Sequence, residues 1–178
     1  MDFAQWVHAV EYSGVGQWMR TSVKGLPIVE ATHVACAAIV FGTVFVVDLR
    51  LIGVPHNQRP VTLISEEMLR LTWGAFVISV ITGTLMFTAN AHTYVANTAF
   101  RIKMLALIAA GLNMLIFQHF TYRSVGAWDK DLPAPRAARW AGIASICIWV
   151  AVIFLGRWIG FTKGYVFEAP PADVNFSF

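Results

Sequence analysis

Charged residues are absent from four long stretches, residues 31–47, 71–100, 104–122 and 140–156, which are dominated by Ala, Val, Ile, Leu, Phe and Trp. A helix needs about 20 mostly apolar residues to cross hydrocarbon. Each stretch reaches that length once its aromatic or basic flank sits among headgroups. The pattern predicts four spanning helices near residues 27–52, 71–91, 98–120 and 139–161. The runs are continuous rather than alternating, which favours helices over a barrel.

The rest of the chain reads differently. The opening DFAQWVHAVEYSGVGQWMRTSVKG is too polar to span, and it lacks the basic start, apolar middle and small-residue cleavage site of a secretory signal, so it is expected to be retained. Phe3, Trp6, Val7 and Val10 recur at helical spacing behind Asp2 as N-cap, which predicts an amphipathic helix on the membrane surface over residues 1–24. Gly14 and Gly16 are expected to divide it into two pieces, and Pro27 suits the first turn of span one. GVPHNQRP reads as a turn, and VTLISEEMLR as a short amphipathic helix leading into span two. WDKDLPAPRAAR is a polar connection and residues 164–178 an irregular tail. With no internal repeat, the chain reads as a single membrane domain over 1–178: all-α, an integral membrane four-helix bundle with an N-terminal interfacial amphipathic helix.

Composition supports a lipid environment. At 57% hydrophobic and 13% charged residues, 178 residues cannot hide this much apolar surface in a soluble core. The net charge of +3 does not suggest nucleic acid. Excluding Lys103 and Arg157, which fall inside spans, the two connections one-two and three-four carry seven basic residues against four on the terminal side. That asymmetry places both termini outside, toward the periplasm. Cys36 and Cys147 fall in spans and read as small packing residues rather than a disulfide or zinc pair.

Ionisable residues at membrane depth are expensive and commonly face the bundle interior or mark a functional path. Counting about 1.5 Å per residue, His33 of span one, His92 just past span two, Arg101 and Lys103 of span three and Arg157 of span four fall in one layer near the terminal side. Imidazoles, cations and apolar walls together suit haem b: a neutral imidazole nitrogen ligates iron, and two propionates need basic partners near the interface. His33 is the first candidate axial ligand, with Ala37 leaving room for a flat macrocycle and His92 as a candidate second ligand. Arg101 and Arg157 are candidates for the propionates, and Lys103 serves there or takes a proton. The competing reading makes His33 a hydrogen-bonded interfacial residue and lets the cations snorkel to lipid phosphates.

At the far end of span one, Asp48 needs a donor, and Arg123 or His119 stands at matching depth as a structural clasp. His119 with His56 is a possible second haem site, which would make a transmembrane electron wire. Asn113 is expected to make an interhelical hydrogen bond.

The combination LPIVEATHV, FVVDLRLIG, LTWGAFVISVITGTLMF, NTAFRIKMLALIAAGLNMLIF, AWD and FLGRWIGF resembles a family of small bacterial membrane proteins of unknown function, over nearly the whole chain. The resemblance implies a multi-pass protein of the bacterial inner membrane. More distantly, a first-span histidine with a third-span lysine, His33 and Lys103, is similar to the small four-helix haem-binding protoporphyrinogen oxidases of bacteria and to copper-resistance-type membrane domains. Three function classes follow. The first is a haem b protein of electron transfer, a carrier or an oxidoreductase membrane subunit, exchanging electrons with quinone or a periplasmic redox protein. The second is a cofactor-free interaction subunit bound to other subunits of a membrane complex. The third is a small transporter or proton path through His33, Lys103 and Asp48, against which stands the lack of a proline-broken pair of spans.

Overall fold

The computed structural model describes residues 2–54, 61–117, 119 and 134–162. Among them the chain is all helix: α1 (Phe3–Glu11), α2 (Gly14–Thr21), α3 (Gly25–Ile52), α4 (Val61–Ala89), α5 (Ala91–Ala96), α6 (Thr98–Ile116) and α7 (Arg136–Thr162). Four of these are long and apolar enough to cross a membrane: α3, residues Arg70–Ala89 of α4, α6 and α7.

Local chemistry sets the helix ends. Asp2 forms a capping box with Gln5 at the start of α1, and Ser13 Oγ accepts the Gly16 N–H at 3.2 Å to start α2. Asn97 Oδ1 accepts from Ala99 at 2.9 Å and Phe100 at 3.3 Å at the head of α6. The α3 helix stops at Gly53, whose φ of 97° is a left-handed conformation that glycine adopts without a Cβ penalty.

Two expected boundaries move. The interfacial segment does divide, but at Tyr12 and Ser13, and both Gly14 and Gly16 lie inside α2. Gly16 is small for a packing reason: a Cβ there would meet Glu11 O and come within 2.7 Å of Thr88 O. VTLISEEMLR is not a separate helix but the first part of α4, since no glycine or proline interrupts the run before the membrane.

The spanning helices are antiparallel neighbours in the spatial order α4, α3, α7, α6; the most extensive contacts are α3 with α4 and α6 with α7. Among the described residues α4 and α6 are not packed along their length. They meet through Phe87 and Phe100, whose rings stack at 5.8 Å. The buried positions of the spans are mostly small: Cys36, Val40 and Ala75 in the middle, and Ala138 with Leu51 toward the connections. Ile, Leu, Phe and Trp on the outer faces stay exposed, as helices solvated by acyl chains require.

Polar side chains tie neighbouring spans. Thr72 Oγ1 donates to Thr43 Oγ1 at 2.7 Å between α4 and α3, and Asn113 Nδ2 donates to Ala141 O at 3.1 Å between α6 and α7, as expected for Asn113. Asp48 is 6% exposed and takes its hydrogen bond from Ser145 of α7. Of the partners expected for it, Arg123 lies outside the described residues and His119 is exposed. Gly142 permits this approach, because a Cβ there would stand 3.1 Å from Asp48 O.

The α1–α2 hairpin is fastened to the break between α4 and α5. Breaking the helix frees the Ala89 carbonyl and the His92 N–H. Arg20 Nη1 donates to Ala89 O at 3.0 Å, and His92 N donates to Glu11 Oε2 at 2.8 Å. Arg20 and Glu11 face each other at 3.8 Å, and Met19 beside them is fully buried. Hydrogen bonds to charged groups contribute roughly 1.5–3 kcal/mol when sheltered and less at a wet interface. Glu11→Ala and Arg20→Ala are each expected to destabilise the detergent-solubilised protein by about 1–2 kcal/mol, and the double variant by less than the sum, read from unfolding midpoints. In the spans, Ser145→Ala is expected to cost about 1–3 kcal/mol by stripping buried Asp48 of its donor, and Asp48→Asn in that background to recover part of the loss, measured in the same way.

Candidate functional site

His33 stands on α3 about two turns in from Gly25. Its Nδ1 lies 3.0 Å from Ser79 O and 3.1 Å from Thr82 Oγ1 on α4. A carbonyl only accepts, so Nδ1 carries the proton and Nε2 keeps its lone pair. Thr82 Oγ1 in turn donates to Ile78 O at 2.7 Å, which fixes its orientation toward the ring. Gly83 lets the imidazole lie against the α4 backbone: a Cβ there would stand 3.1 Å from His33 Cε1.

Lys103 of α6 and Glu30 of α3 are the charged groups within electrostatic reach of the ring. Lys103 lies against α7 where Gly156 makes room, since a Cβ at Gly156 would be 3.4 Å from Nζ. Its ammonium has no hydrogen-bond or ion-pair partner among the described residues. The Ser79 hydroxyl, next to the carbonyl that holds His33, is buried and likewise unpartnered.

The terminal side of this site is closed by aromatic rings. Tyr94 packs on Phe100 at 5.2 Å and on Phe87 at 6.1 Å, and Ala99 and Ile159 complete the buried cluster. Burial, with a smaller push from the Glu30 carboxylate, raises the Tyr94 phenol to about 12, so its hydroxyl stays protonated at any physiological pH.

His33 and Lys103 therefore lie within electrostatic reach of each other, and three other residues of the predicted layer do not join them. Arg101 is exposed and reaches back to Thr98 Oγ1 at 3.3 Å. Arg157 is exposed, with its guanidinium 5.1 Å from the Phe161 ring. The reason is angular: two positions along a helix turn the side chain by about 200°, so Arg101 cannot share the inward face of Lys103. His92 sits on α5 with its side chain exposed, and its backbone N–H is engaged by Glu11. His119 is exposed, and His56 lies outside the described residues. His8 stacks on Tyr12 at 4.2 Å on the surface hairpin. Cys36 is a buried free thiol and Cys147 an exposed one.

Sequence reasoning overlooked Ser79, Thr82 and Gly83. Their signal was present, for SVITG is a small and polar cluster at i, i+3 and i+4 in an otherwise apolar span, and it lines up with His33 once the antiparallel pairing of α3 and α4 is known. Among the described residues no three His, Cys, Asp or Glu side chains converge as a metal-ion site.

No curated protein and no solved structure matches the chain significantly, so the expected likeness to haem-binding protoporphyrinogen oxidases and copper-resistance domains has no counterpart in those comparisons. A family profile does match, over residues 7–162, from the surface hairpin through the last span. With most of its length matched, and with the site of His33 and Lys103 inside that range, the chain belongs to the DUF6644 family, a family of unknown function.

Proposed function

We propose that the protein is a membrane haem b protein acting in electron transfer, either as a carrier or as the membrane subunit of an oxidoreductase. The observation that carries this reading is the state of His33, whose Nδ1–H is spent on the Ser79 carbonyl while Nε2 keeps a free lone pair. Imidazoles that ligate metals characteristically donate their other N–H in this way, which fixes the ring and raises its basicity. A haem supplies four of its own nitrogen ligands, so one imidazole suffices and a cluster of three protein ligands is not required. The orphaned Ser79 hydroxyl, beside the carbonyl that holds His33, also suits a ligand in this layer.

A haem iron, when bound, takes up and releases one electron. The chain's own groups have the supporting roles. His33 would give its lone pair from a ring held by α4. Lys103, with no acidic partner among the described residues, would neutralise a propionate or stabilise an added electron. The Phe87, Tyr94 and Phe100 cluster would keep water from the terminal side. Quinone in the bilayer, or a redox protein on the terminal side, is the matching class of electron partner.

A second reading, a cofactor-free subunit of a larger membrane complex, is favoured by one observation: Arg101, Arg157 and His92 all face outward, away from His33. Absorption spectra of the protein purified from haem-sufficient cells separate the two. A Soret band that disappears in His33→Ala and survives in His92→Ala is expected for the haem protein. Lys103→Met is expected to keep the band and lower the midpoint potential by roughly tens of millivolts, because removing a nearby cation disfavours the added electron. A colourless protein that co-purifies with larger subunits overturns the haem reading in favour of the second.

A further inference from the structure

At the opposite end of the bundle, where α3 ends and α7 begins, Ile52, Arg136, Arg139, Trp140 and Ile143 line a cavity of about 300 Å³. None of the groups considered so far uses it. Arg136 and Arg139 are both exposed, and neither has a hydrogen-bond or ion-pair partner among the described residues. Arg139 places its guanidinium beside Gly53, where a Cβ would stand 3.4 Å from Nη2. The floor is apolar and belongs to two different spans, Ile52 from α3 and Ile143 from α7.

Three features define the ligand. Two guanidiniums in one concavity, with no acidic partner among the described residues, select an anion, and their planar forks match phosphate oxygens. Ile52 and Ile143 lie on apolar spans, so the same ligand must carry a hydrocarbon portion down into the bilayer. Trp140 on the first turns of α7 has the amphipathic ring that settles at headgroup level, which puts the arginines at the depth of lipid phosphates. Choline or ethanolamine headgroups bring a cation of their own toward the arginine pair, and an anionic headgroup does not.

We infer that this cavity is a binding site for an anionic phospholipid, with its phosphate held by Arg136 and Arg139 and its acyl chains lying along Ile143 and Ile52. The site bridges α3 and α7, the contact that joins the two helix pairs of the bundle, so occupancy should stabilise the whole protein by mass action.

The test uses the full chain, delipidated in a neutral detergent, with the thermal midpoint followed as phosphatidylglycerol, phosphatidylcholine or inorganic phosphate is added. Phosphatidylglycerol is expected to raise the midpoint saturably, and phosphatidylcholine and inorganic phosphate at equal concentration are expected to do little. The double variant Arg136→Gln/Arg139→Gln is expected to bind phosphatidylglycerol roughly 10- to 30-fold more weakly, from about 1 kcal/mol per basic residue. Arg101→Gln/Arg157→Gln, which removes two exposed arginines at the other interface, is expected to leave the titration unchanged. Size-exclusion profiles check that each variant is folded, and native mass spectrometry of retained lipid gives a second readout independent of stability. Equal response to the zwitterionic lipid, reproduction by phosphate alone, or equal losses in the two double variants overturns the assignment.

Discussion

In hydrocarbon no partner comes from solvent, so a polar side chain on one span has to find its hydrogen bond on another or within its own helix. The cross-links that result trace the arrangement of the bundle. Thr72 with Thr43 and His33 with Ser79 and Thr82 join α4 to α3, Asp48 with Ser145 joins α3 to α7, and Asn113 with the Ala141 carbonyl joins α7 to α6. Apolar packing between lipid-solvated helices is indifferent to which neighbours meet; these bonds are not. Each also rests on a local closeness, most plainly at Gly83 and Gly142, where a single added carbon would crowd the partner.

The groups left over from this accounting are as informative as those that are paired. Ser79 Oγ and Asp48 Oδ2 are buried without a partner among the described residues, and the Lys103 amine has no hydrogen-bond or ion-pair partner among them either. An orphaned buried polar atom costs about 1–3 kcal/mol. Of these three groups, Ser79 adjoins the carbonyl that holds His33, and Lys103 is within electrostatic reach of the ring. Uncompensated polarity in the layer of one imidazole is what the proposed haem reading draws on. Asp48 is about 22 Å further along α3 at 1.5 Å per residue, too far to belong to the same site.

The spans were legible because hydrocarbon thickness demands long uncharged runs, a one-dimensional property that the charge gaps display directly. Depth was legible for the same reason: His33 and Lys103 were placed in one layer by counting residues. Azimuth was not. Arg101 and Arg157 share that depth, yet they sit on outward faces, and a helical wheel for α6 alone would have separated Arg101 from Lys103. The hairpin break moved from the glycines to Tyr12 and Ser13 because Gly16 answers to the approach of Thr88, 72 positions later, which no local pattern contains. The Ser79 carbonyl as partner of His33 was equally hidden, since main-chain groups carry no signature in a sequence.

The bundle is unequal from end to end. At the terminal end the α1–α2 hairpin occupies the helix break, Met19 is fully buried, and three aromatic rings bind α4 to α6. Elements held by so many independent contacts are rigidly placed. Between α3 and α4 the packing is close: a Cβ at Gly83 would stand 3.1 Å from His33 Cε1, and this pair makes the most extensive contact in the bundle. Below the aromatic cluster, by contrast, the described residues leave α4 and α6 unpacked. The bundle is thus closed at its terminal end by the hairpin and the rings, and α4 and α6 touch there rather than along their spans.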